Sequence, residues 1–137
     1  MEDPMIDLPG YALRRAANAM SAELAERLAE IGLKQSDASV LILVEANPHV
    51  TASALGRALD IQRANMVPLV ARLEAAGLLV REPLDGKSHS LSLTPRGRDR
   101  LIEARAIIVQ FEDELLGRVP AAHRDHLLPA LNALWQG

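Results

Sequence analysis

At 137 residues the chain is the size of one domain, long enough to bury about two thirds of its unfolded surface without disulfide or metal staples. Apolar residues make up 49% and aromatic residues 2%, so the core must be built from Leu, Ala, Val and Ile, a composition that favours helices. The absence of cysteine excludes disulfides, thiolate nucleophiles, Cys-based zinc sites and thiol switches, and a net charge of −3 argues at first sight against nucleic acid.

The first segment runs from about Gly10 to Ile31. Leu13, Ala17, Met20, Leu24, Leu28 and Ile31 form a helical stripe, and Gly32 stands where a C-terminal cap belongs. A second helix is expected from Gln35 to Ala46. Its centre, Ala38 to Val44, is nearly all apolar and should be buried on most sides. Asn47-Pro48 ends it, because a residue before proline is pushed out of the helical region. Thr51 is a good N-cap for a third helix reaching Leu59, with Leu55 and Leu59 on one face. Asp60-Ile61-Gln62 makes a turn into a fourth helix, Arg63 to Ala76, which Gly77 closes.

The period then changes. Leu79–Pro83 and His89–Leu93 read as two short strands, with Leu91 and Leu93 alternating with Ser90 and Ser92. Asp85-Gly86 between them is a strong hairpin signal. Thr94-Pro95 opens a fifth helix, threonine as N-cap and proline at the first helical position. Its stripe Leu101, Ala104, Ile108, Phe111 and Leu115 has the rhythm of a helix lying along another helix, in the same chain or a second one. A last helix spans about Ala121 to Trp135, and Pro129 should kink or split it.

The expected fold is mainly α with a small β-hairpin wing: a winged helix-turn-helix, the third and fourth segments forming the motif. No apolar run approaches the roughly 18 residues of a membrane span. The acidic start (Glu2, Asp3, Asp7) does not resemble a secretory signal, so the cytoplasm is the expected compartment. Charge is unevenly spread. Residues 48–100 carry eight Arg and Lys against five Asp and Glu, a local +3, while the remainder carries −6. A DNA-reading module held by an acidic scaffold would show this pattern, as would an ordinary mixed surface.

Three sets of residues then resemble the MarR family of bacterial transcriptional regulators. They are Leu55-Gly56-Arg57-Ala58-Leu59, Leu73-Glu74-Ala75-Ala76-Gly77-Leu78-Leu79-Val80-Arg81, and Asp85-Gly86-Lys87 with Leu93-Thr94-Pro95-Arg96-Gly97. The resemblance covers nearly the whole chain. It implies one domain over residues 1–137, with dimerisation helices at 8–32 and 101–137 flanking a DNA-binding region at 33–100. It implies double-stranded DNA as partner, a homodimer, and a repressor released from a pseudo-palindromic operator by a small aromatic or anionic effector. Leu13, Ala17, Leu115, Leu127, Leu131, Leu134 and Trp135 are the dimerisation residues implied, and Arg14, Arg15 and Asn18 the effector anchors. The chain departs from the family at the wing, where Gly86 and Lys87 replace the usual pair of arginines, and at Pro68 inside the recognition helix. Lysine offers a point charge in place of a bidentate fork. Pro68 should bend the helix, either aiding the docking pose or touching a thymine methyl.

The DNA-contacting set expected on the fourth helix is Gln62, Arg63, Asn65, Met66, Pro68, Leu69 and Arg72, although Met66 or Val67 must also supply its buried face. Gln and Asn can pair with adenine and Arg with guanine. Arg72 suits either a phosphate or an acidic side chain. Thr51 and Ser53 at the start of the third helix, and Lys87, Ser88 and His89 on the wing, complete the set. Asp85 is expected to shape the turn. His123 and His126 are read as solvated helix residues, not metal ligands. No metal, no cofactor and no catalytic residue is expected, since no nucleophile motif such as G-x-S-x-G occurs. The rival reading is a winged-helix protein-interaction module without specific DNA binding.

Overall fold

The computed structural model describes residues 1–136. Six α-helices and one hairpin follow in the order α1 (Pro9–Ala29), α2 (Gln35–Ala46), α3 (Ala52–Leu59), α4 (Arg63–Ala75), β1 (Leu79–Pro83), β2 (His89–Leu93), α5 (Pro95–Arg118) and α6 (Arg124–Trp135). A 3-10 turn, Ala121–His123, precedes α6. The strands are antiparallel, with Leu79 opposite Leu93, Arg81 opposite Leu91 and Pro83 opposite His89.

Local chemistry sets most of these boundaries. Thr51 Oγ1 accepts the N–H of Ala54 at 3.2 Å, and Thr94 Oγ1 accepts that of Gly97 at 2.9 Å, so each threonine caps its helix. Three helices end in the same way. Leu33 N–H donates to Leu28 O, Ile61 N–H to Gly56 O and Leu78 N–H to Leu73 O, closing Schellman turns at 3.1, 2.8 and 3.0 Å. The left-handed residue in these turns is Gly32 (φ 73°), Asp60 (φ 53°) and Gly77 (φ 76°). Asp is among the few other side chains that visit this region at modest cost.

The core gathers around α2. Leu28, Val40, Leu41, Leu55, Val70, Leu73, Leu101 and Ala104 are all buried. Asp37 is buried as well, and is satisfied twice. One carboxylate oxygen accepts the Lys34 N–H at 2.8 Å, capping α2, and the other pairs with Arg72 on α4. Ser90 is buried along with Leu91 and Leu93, with which it alternates; β2 lies against α2 and α3, and the Leu91 N–H bonds Val50 O at 2.8 Å.

Both internal prolines lie within continuous helices. Pro68 is the sixth residue of α4 and Pro129 the sixth of α6. The last segment is divided, but at His123, where the 3-10 turn hands over to α6, and not at Pro129. On α5, Leu101, Ala104 and Phe111 are buried and Ile108 and Leu115 half-buried within the chain, so the heptad-like stripe is partly core. A boundary at residues 100/101 runs through this helix.

A charged clamp ties α1 to α5. Arg118 grips Glu23 with both terminal nitrogens, at 2.7 and 2.9 Å, and Arg27 reaches the same carboxylate at 2.9 Å while also pairing with Glu114. The Arg27 guanidinium lies 5.4 Å from the Phe111 ring centroid. Arg118 above all, then Arg27, holds the Glu23 carboxyl at a pKa of about 2 against an ordinary 4.5. A depressed carboxylate contributes its stability above the ordinary value and loses it as pH falls through the depressed one. The stability difference between the wild type and Glu23→Gln should therefore be constant above about pH 5 and shrink as pH falls from 4.5 towards 2. Denaturation midpoints measured across that range check this.

Candidate nucleic-acid interface

Helices α3 and α4 meet closely. A Cβ placed on Gly56 would lie 2.9 Å from Ile61 O and 3.1 Å from Met66 Cγ, so the turn between the helices has no room for a side chain there. Met66, Leu69, Val70 and Leu73 bury one face of α4. The opposite face, with Arg63, Asn65, Val67 and Pro68, is exposed.

Between this helix pair and the wing lies a groove of about 640 Å³. It brings together Thr51, Ser53, Gln62, Arg63, Lys87, Ser88 and His89 of the expected set. Arg57 and Arg81 line it too, although neither belongs to the DNA-contacting set expected from the sequence. Arg57 donates to Ser53 Oγ at 3.2 Å, and Arg81 is held by Glu74 at 2.6 Å. Asp60 is the acidic residue among those described there, against Arg57, Arg63, Arg81 and Lys87. A basic groove flanked by a protruding helix and a hairpin has the form of a saddle for a sugar-phosphate backbone, with a DNA groove on either side.

The wing turn is built by Asp85. Its Oδ1 accepts the N–H of Ser88 at 2.9 Å and of Lys87 at 3.2 Å, which holds the carboxyl below the ordinary carboxylate range and presents Lys87 outward. Gly86 does not adopt a positive φ, so the connection is an Asx-type turn and not a tight two-residue hairpin.

Two expectations for α4 need correction. Met66 and Leu69 are core residues, 2% and 5% exposed, and Met66 reaches only the floor of the groove. Val67, 56% exposed, takes the outward position. Of the two roles expected for Arg72 the structure shows the acidic partner: it pairs with Asp37 and serves as a strut between α2 and α4. Asn65 and Pro68 are exposed on α4 beside the groove lining.

The remaining expected residues fall elsewhere. Arg14 and Arg15 each stand 5.6 Å from the Tyr11 ring centroid, and Arg15 donates to the Tyr11 hydroxyl at 3.0 Å. That hydroxyl donates to Asp3 at 2.7 Å, which holds the Asp3 carboxyl below its ordinary range. Asn18 is exposed on the same helix, as are Leu13 and Ala17. Leu134 and Trp135 are exposed on α6, Leu127 and Leu131 half-buried. His123 and His126 are both exposed. Among the described residues no helix is long and apolar enough to cross a membrane.

A helix-turn-helix, a following hairpin and a basic groove between them define a winged helix-turn-helix protein of the transcription-regulator class. Comparison with known proteins narrows this. The MarR family model matches residues 31–88. The transcriptional repressor CouR bound to a 23-mer DNA duplex is 34% identical, with 98% of this chain and 99% of that one covered and a TM-score of 0.87. CouR bound to p-coumaroyl-CoA is 32% identical, with 98% and 96% covered and a TM-score of 0.87. A putative transcriptional regulatory protein for the hcr operon of Thauera aromatica is 28% identical over 93% of this chain and 78% of its own length. The chain belongs to the MarR family.

Proposed function

We propose that the protein is a homodimeric repressor that binds a pseudo-palindromic operator in double-stranded DNA and leaves it when a small aromatic or anionic ligand binds. The observation that carries this reading is the basic groove joined to the exposed face of α4. Arg63 reads bases at the N-terminal end of α4. Thr51, Ser53 and Arg57 hold phosphate, and Lys87, Ser88 and His89 reach the adjoining backbone or minor groove. Gln62 and Asn65 are the further base-reading candidates.

The dimer follows from what the chain leaves uncovered. None of the described residues of α6 is buried, and α1 is exposed from Pro9 to Ala19 apart from Tyr11. A second copy covers Leu13, Ala17, Leu134 and Trp135 and completes the burial of Leu115, Leu127 and Leu131. The ligand is supported by the CouR complex with p-coumaroyl-CoA, an anionic aromatic thioester, and by Arg14 and Arg15 flanking Tyr11, with Asn18 one turn on. A ligand that prefers one spacing of the two wings releases DNA by differential binding. Such a protein works in the cytoplasm, without a cofactor and without catalysis.

Arg63→Ala should weaken operator binding by about tenfold or more and relax sequence preference, while Lys87→Ala, which removes one contact from each protomer, should weaken all DNA binding and lower the salt dependence by about two units of slope. Fluorescence anisotropy on operator and scrambled duplexes separates the two. Unchanged affinity in both variants would contradict the assignment.

A further inference from the structure

The recognition helix turns an apolar ridge outward. Ala64, Val67, Pro68 and Ala71 are all exposed, and their i, i+3, i+4, i+7 spacing puts them on one stripe. This stripe lies opposite the core face of Met66, Leu69, Val70 and Leu73, with Arg63 on one flank and Asn65 and Arg72 on the other. Folding does not account for it. Val67 is 56% exposed and adds little to the core. An outward helix face is ordinarily polar.

We infer that this stripe reads thymine: Ala64, Val67, Pro68 and Ala71 pack against C5-methyl groups on the floor of the major groove. The inference rests on the DNA-binding reading above and adds which bases the middle of α4 selects. Three considerations carry it. The thymine methyl is the apolar feature that the major groove displays. A helix with ordinary side chains is about as wide as the groove, so four short residues let its axis approach the base edges closely enough to touch methyl groups. The stripe also adjoins Arg57, Arg63, Arg81 and Lys87, which suit a polyanion rather than an apolar protein partner.

The test uses the DNA flanking the protein's own gene, amplified once with dTTP and once with dUTP. Uracil lacks the methyl and keeps every base-pairing hydrogen bond. Wild type should bind the uracil duplex more weakly by roughly fourfold for each methyl group removed from beneath the stripe, so tenfold or more for a dimer. Val67→Ala, a change at an exposed position, should bind the thymine duplex more weakly than wild type and lose much of the discrimination. Equal discrimination in wild type and variant would assign the effect to DNA shape and overturn the inference. Equal wild-type affinity for both duplexes would overturn it as well, and is the outcome expected if a protein partner occupies the stripe. Binding of both duplexes that vanishes under competitor DNA would overturn the DNA-binding reading itself, and the inference with it.

Discussion

Gly97→Ala should destabilise the protein by about 3 kcal/mol and lower its melting temperature by roughly 10 °C. Gly97 lies in the first turn of α5, at the point where that helix docks on the turn between α4 and the wing. Thr94 organises the junction. Its N–H donates to Leu78 O at 3.1 Å, and its hydroxyl donates to Gly77 O at 2.5 Å while accepting from Gly97 N–H. A Cβ on Gly97 would stand 2.1 Å from Leu78 O and 3.1 Å from Leu78 C. Two effects oppose each other. Alanine favours a helix over glycine by about 1 kcal/mol. The clash is with backbone, which cannot rotate aside as a side chain could, so α5 must lift from the turn and loosen the Thr94 bonds. The steric term dominates. A melting temperature equal to or above that of the wild type would mean that α5 and the wing do not meet in this way.

Leu128→Glu combined with Leu134→Glu should convert the dimer to a monomer at micromolar concentration and weaken operator binding by about a hundredfold or more. Both leucines are exposed within the chain, at 66% and 68%, so the substitutions leave its own core intact. In the proposed dimer a second copy covers α6, Leu128 and Leu134 with it, and an unpaired carboxylate there is strongly unfavourable. Operator affinity falls further than the removal of any single side chain would explain. A dimer binds its second half-site at the high effective concentration set by the first, and a monomer forgoes that gain. Sedimentation velocity and an operator titration on one preparation check both halves. A variant that stays dimeric, or a monomer with wild-type affinity, would contradict the proposed assembly.

Most of the fold was legible because its boundaries are made by local chemistry. Thr51, Thr94-Pro95, Gly32 and Gly77 act within a few residues of themselves, and the structure uses each as the sequence suggested. The expectations that failed or stayed open depend on phase or on distance. Met66 and Val67 are adjacent, and the face of α4 that is buried is set by how it meets α2 and α3, which periodicity alone left open. Leu69 was assigned outward for the same reason and lies in the core. Arg72 pairs with a residue 35 positions away, and nothing local to either announces the other. Arg57 and Arg81 come from α3 and β1, and only the fold brings them to one groove. In the last segment Pro129 drew attention to itself, yet the helix breaks earlier, at His123. The apolar stripe of α4 was written in the sequence but became visible only once its buried face was known.

The most direct test of the central claim is equilibrium binding of the purified protein to the DNA flanking its own gene, with excess competitor DNA, at about 50 and 200 mM salt. Binding with Kd of about 10⁻⁸ M or tighter at the lower salt, surviving competitor and weakening by roughly a thousandfold at the higher salt, is the expected result. In the proposed complex Arg57, Arg81 and Lys87 from two copies make the phosphate contacts behind that dependence. Binding that competitor removes at both salts would contradict a sequence-specific repressor.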